Sequence, residues 1–149
     1  MDEMTLHSLR FRAFCQATED EEKVARALLF ASGSEKEDLE RTKCMGYHGN
    51  PILLLDVVVS KAKMIRNVFL RLSPEDRVEL LRTIEDRIDE ECTFYFRLDK
   101  QEAFFSRIFL GEREDENDVI AVHGKVKTYP KTRDGALEVM REFLSSLDQ

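Results

Sequence analysis

The chain has 149 residues, 42% of them hydrophobic, enough to bury a real core without disulfide staples. A formal charge of −7 argues against indiscriminate attraction to polyanions. No apolar run approaches the roughly 20 residues that span a bilayer, and the acidic start Met1-Asp2-Glu3-Met4 lacks a signal-peptide pattern, so a cytoplasmic protein without membrane contact is expected.

Leu6 to Ala17 alternates, with Leu9, Phe11, Ala13 and Cys15 on one face and Ser8, Arg10, Arg12 and Phe14 on the other. This predicts a half-buried strand with a basic outer face. Thr18 and Glu21 have the spacing of a capping box. The helix they start has a buried stripe of Val24, Ala27, Leu28 and Ala31, and Gly33 ends it. After a polar loop, Leu39 to Tyr47 reads as a strand, joined through Gly49-Asn50-Pro51 to a second strand as a hairpin. That turn needs the conformational freedom of Gly49 and presents Tyr47, His48 and Asn50 at one end of the sheet. The second strand, Ile52 to Val59, has a single polar interruption, Asp56. It is too apolar to alternate between core and water, which predicts a central strand covered on both faces, or nearly so.

Ser60 can cap the next helix, whose inner side is Ile65, Val68, Phe69 and Leu72. Ser73-Pro74-Glu75-Asp76 begins another, with Leu80, Leu81, Ile84 and Ile88 as its stripe. Cys92 to Leu98 alternates, with Phe94, Phe96 and Leu98 inward and Thr93, Tyr95 and Arg97 outward. Asp99 and Glu102 open a short helix containing Ala103, Phe104 and Ile108, closed by Gly111. An acidic loop, Glu112 to Asp118, leads to a strand over Val119 to Thr128, and a last helix runs from about Arg133 to Leu147. The element order predicts a single α+β domain over residues 1–149, with a mainly antiparallel sheet of about five strands and helices packed on one main face. The opposite face then carries Arg10, Arg12, Lys125 and Lys127.

Charge is segregated along the chain. Acid is packed into Glu19 to Glu22, Glu35 to Glu40, Glu85 to Glu91 and Glu112 to Asp118. Between these lie segments with basic residues and no acid, carrying Arg10 and Arg12, Arg41 and Lys43, Lys61, Lys63, Arg66 and Arg71, and Lys125, Lys127, Lys131 and Arg133. A local positive field matters more to a phosphate backbone than the total does. Three cysteines, Cys15, Cys44 and Cys92, and three histidines, His7, His48 and His123, lack metal-ligand spacing, so no metal or cofactor is expected. There is no phosphate-binding glycine loop or nucleophile elbow. Asp56 pairing with a Lys or Arg near its strand end accounts for it better than catalysis does, and the expectation is a protein that is not an enzyme.

Gly46-Tyr-His-Gly-Asn-Pro-Ile52, Phe96-Arg-Leu-Asp-Lys-Gln-Glu-Ala103 and Lys125-Val-Lys-Thr-Tyr-Pro130 resemble an archaeal family of small proteins described as predicted RNA-binding exosome subunits. The resemblance covers nearly the whole chain. It implies a fold similar to the ribosomal protein that holds the smallest rRNA of the large subunit, RNA binding, and a place beside RNA-processing machinery. It carries over to His48, Gly49 and Asn50, to Arg97, Asp99 and Lys100, and to Lys125, Lys127, Tyr129 and Pro130. Two functions from different classes are then expected. One is a non-catalytic RNA-binding module using Arg10, Arg12, Lys43, Lys61, Lys63 and these positions, with Tyr47, Tyr95 or Tyr129 stacking on bases. The other is a protein-interaction or homodimeric assembly subunit without direct RNA contact. A continuous positive groove favours the first and a flat apolar patch the second.

Overall fold

Strand β1, Leu9–Cys15, buries every second residue and is the axis of the molecule. The computed structural model describes residues 5–46, 49–111 and 118–147, so the acidic segment after Gly111 and the tip holding Tyr47 and His48 lie outside the described residues. After β1 come α1 (Glu21–Ser32), β2 (Glu40–Met45), β3 (Pro51–Val59), α2 (Ala62–Leu70) and α3 (Pro74–Arg82). Then follow β4 (Thr93–Asp99), α4 (Lys100–Phe104), β5 (Val119–Lys125) and α5 (Arg133–Ser146). The five strands form one antiparallel sheet in the order β2-β3-β1-β5-β4. This is the expected α+β architecture.

Leu9, Phe11 and Ala13 of β1, Leu55, Val57 and Val59 of β3, Phe94, Phe96 and Leu98 of β4, and Ile120 and Val122 of β5 face one way. They meet the apolar stripes of the helices, among them Leu28, Val68, Phe69, Leu80, Met140 and Leu144, in a continuous core. Phe69 centres it, with its ring 5.4 Å from Phe96 and 5.2 Å edge-on from Phe143. Such aromatic pairs contribute about 0.5–1.5 kcal/mol each beyond area burial. Gly124 lets β5 pass close to the chain before β1, since a Cβ there would lie 2.1 Å from the Ser8 carbonyl oxygen.

The hairpin turn forms as expected. Gly49 has φ of +77°, and the Gly46 N–H donates to the Asn50 carbonyl at 2.6 Å. Ser73 caps α3 ahead of Pro74, and Asp99 caps α4. Other local expectations are corrected. Asp20, not Thr18, caps α1, because its carboxylate accepts from the Glu22 N–H while Glu19 turns back to Gln16. Lys61, not Ser60, stands before α2 and lends no side-chain cap. Helix α3 stops at Arg82; Ile84 lies in a tight turn, Ile84–Asp86, and Ile88 bridges to Phe94. Strand β3 is not central: it sits second from an edge, with β1 in the middle. Its apolar outer residues Ile52 and Leu54 are only half-buried, and Val58 is 44% exposed, because the helices cover one face alone.

Both flanks of β4 are tied down. Near its start the Tyr95 N–H donates to the Arg87 carbonyl at 2.8 Å, and near its end the Gly111 N–H donates to the Arg97 carbonyl at 2.9 Å. These short segments stand beside the strand as a rim. The opposite edge, β2, has charged Glu40, Arg41 and Lys43, which discourages pairing with another sheet.

Candidate nucleic-acid interface

The helix-free face is laid out by register. One row across the sheet is Val58, Arg10, His123 and Tyr95; the next is Glu40, Asp56, Arg12, Ala121 and Arg97. The expected register of β1 therefore holds, with Arg10, Arg12 and Phe14 outward. Asp56 is 5% exposed, and its Oδ1 accepts from Arg10 Nη1 at 2.8 Å. The expected pairing is present, although Asp56 lies inside its strand. Arg10 thus spends its charge on Asp56, while Arg12 stays exposed beside it.

Ala121 stands between Arg12 and Arg97, and its single methyl leaves a hollow there. Two strand spacings, about 10 Å, separate the backbones of the two arginines. The hollow widens into a concavity of about 830 Å3 lined by Arg12, Phe14, Arg87, Tyr95, Arg97 and His123. Arg87 comes from the rim, held by a hydrogen bond of 2.7 Å from its Nε to Thr83 Oγ1. Burial lowers its pKa, and Arg97 nearby pushes the same way, against Glu79 and Asp86. Among the described residues, three guanidinium groups and one carboxylate, Asp86, border the space.

Tyr95 is 46% exposed, and its ring lies 5.8 Å from that of His123 at an interplanar angle of 34°. The Tyr95 hydroxyl donates to Asp89 Oδ2 at 3.0 Å, which fixes the ring. Burial would raise the pKa of Asp89, but the N–H groups of Thr93 and Glu91 and this hydroxyl outweigh it and hold the carboxyl below its usual range. His123 is held below the usual histidine range by partial burial, then by Arg12 and Arg10, with Asp56 opposing. This shift favours the neutral form, a flat ring without charge.

Of the residues expected to contact RNA, Arg10, Arg12 and Arg97 gather on this face. Lys125 joins them at the end of β5, with its ammonium 3.5 Å from the Glu91 carboxylate. Lys127 follows it and is exposed, as are Lys131 and Tyr129, the latter completely. Arg133 is turned inward: its Nε donates to the Ile88 carbonyl at 3.0 Å and a second nitrogen to the Glu85 carbonyl. Lys43 faces the helix side of the sheet, opposite Leu53, and Lys61 and Lys63 lie exposed at the start of α2. Asn50 is exposed in the hairpin turn, whereas Tyr47 and His48 lie outside the described residues. Lys100 is 2% exposed, with its ammonium 2.8 Å from Glu19 and 3.2 Å from the Phe14 carbonyl, which takes it off the surface.

Sequence reasoning missed Arg87 and His123 as parts of this constellation. Alternation does set His123 on the face of Ala121, Lys125 and Lys127, without marking it as a contact. Nothing local pointed to Arg87, since the stripe through Ile84 and Ile88 predicts a continuous helix where the chain instead makes a tight turn. Among the described residues no group of His, Cys, Asp and Glu could hold a metal ion, and no helix is long and apolar enough to cross a membrane.

The sheet thus has one face covered by helices and the other bearing arginines and aromatics. The chain belongs to the protein family described as RNA binding, whose model matches residues 8–126. It is 38% identical to an RNA-binding protein of Pyrococcus abyssi, over 95% of this chain and 96% of that one. Among solved structures it is similar to a protein of Archaeoglobus fulgidus, 33% identical with a TM-score of 0.80, covering 93% of this chain and 99% of that one. A protein of Methanothermobacter thermautotrophicus is 32% identical with a TM-score of 0.75, covering 93% and 98%.

Proposed function

We propose that this protein binds RNA without catalysis, through the helix-free face of its sheet. The observation that carries the reading is the concavity over Ala121, where Arg12, Arg87 and Arg97 converge while Asp56 is neutralised by Arg10. A total charge of −7 does not oppose it, because phosphates respond to the local field. The family match and the name of the Pyrococcus relative support RNA as the polyanion. Crosslinking by ultraviolet light, followed by peptide mapping, tests it. RNA should attach to peptides of β1, β4 and β5, and should be recovered intact. Attachment confined to α2, or steady cleavage of the RNA, would contradict the reading.

A second reading draws on the other half of the same face, where Val58 is exposed beside the half-buried Ile52 and Leu54. That strip suits a protein partner or a second copy of the chain. An accessory role beside RNA-processing proteins, the exosome among them, rests on the sequence resemblance and would use this strip. Sedimentation of the wild type against Val58→Asp checks it: a dimer that the substitution dissociates favours self-association. A monomer in both cases removes the homodimer.

A further inference from the structure

The concavity is also selective in shape, and we infer that it takes unpaired RNA rather than duplex, with one base laid on the Tyr95–His123 pair and its phosphate over Ala121 between Arg12 and Arg97. This rests on the RNA-binding reading and adds the kind of RNA to it.

Three observations carry it. The first is size and enclosure. About 830 Å3 is in the range of cavities that take small molecules, and the segments carrying Arg87 and Gly111 wall it on the β4 side. A duplex offers a broad surface of sugars and phosphates, with its bases stacked on one another and unavailable. The second is the pair of rings. Tyr95 and His123 are cross-strand neighbours, and the Asp89 hydrogen bond holds Tyr95 in place. A fixed, exposed aromatic face is what an unstacked base binds. The third is the placement of charge next to the rings rather than along a long track. Arg12 and Arg97 stand one row away, a distance of about 7 Å along the strands. That spacing suits a phosphate attached to the stacked nucleotide. The His123 ring, 5.8 Å from that of Tyr95, adds to the aromatic surface.

The test compares three labelled probes at one salt concentration: a single-stranded 12-mer, a hairpin duplex of equal phosphate number, and an abasic strand of the same length. The wild type should bind the single strand about ten-fold or more tighter than the other two. Tyr95→Leu should lower single-strand affinity about ten-fold and leave duplex and abasic binding unchanged, while Tyr95→Phe, which keeps the ring, should retain most of it. Melting curves of the two variants establish that both are folded. Equal affinity for the single strand and the duplex, or an equal loss on both with Tyr95→Leu, would overturn the inference and leave backbone binding standing. No binding of any probe would overturn the RNA reading itself.

Discussion

Asp56 sets the charge of the face it occupies. Its buried carboxylate cancels Arg10 and stands next to Arg12 across the strands. Asp56→Asn keeps the shape and removes the charge, so it should weaken the fold by about 1–2 kcal/mol, with Arg10 partly able to turn to water. The same change should tighten RNA binding several-fold, because the face becomes more positive. Denaturant titration and RNA titration read the two effects; a weaker fold with unchanged affinity would place the RNA elsewhere. His123 gives a second residue-scale test. Its folded pKa lies below the unfolded one, so its contribution to stability is present at neutral pH and lost as pH falls through the folded value. His123→Gln should therefore lose less stability than the wild type between pH 7.5 and pH 5. Identical losses would contradict the environment described for the ring.

At the scale of elements, Lys100 shows how a charge leaves the surface. It opens α4 directly after the cap Asp99, and its ammonium reaches Glu19 before α1 and the Phe14 carbonyl near the end of β1. Lys100→Ala leaves a carboxylate and a carbonyl without this donor and should cost about 2–4 kcal/mol, while the affinity of the folded protein for RNA stays the same. A stable variant with weakened RNA binding would restore Lys100 as a contact. Gly124→Ala should be about as damaging, roughly 1–3 kcal/mol, because its Cβ would meet the backbone oxygen of Ser8, which cannot swing aside. Alternation made the faces of β1, β4 and β5 legible, since period two is written into each strand separately. The place of β3 was not legible. Apolar residues on both its faces suggested two covers, whereas the outer Ile52 and Leu54 are half-buried beside Phe14 and Val58 is exposed. Lys100 and Arg87 were illegible for the same reason: their settings come from long-range packing, between α1 and α4 and between a tight turn and β4.

For the whole molecule, net charge and local charge differ in sign. Acidic stretches dominate the total, yet among the described residues Arg12, Arg87 and Arg97 line one hollow whose lining includes a single carboxylate, Asp86. About three to five neutralised phosphates on a single strand give a fall of log affinity against log salt with a slope near −2 to −3.5, at roughly 0.7 per contact. The measurement is that slope, for the wild type and for Arg12→Ala combined with Arg97→Ala. The double variant should fold normally, as both side chains are exposed, and should flatten the slope by about 1.4. Lys61→Ala with Lys63→Ala, on the helix side, should leave it unchanged. Equal slopes for the wild type and the Arg12 and Arg97 variant would contradict the claim that RNA meets the helix-free face.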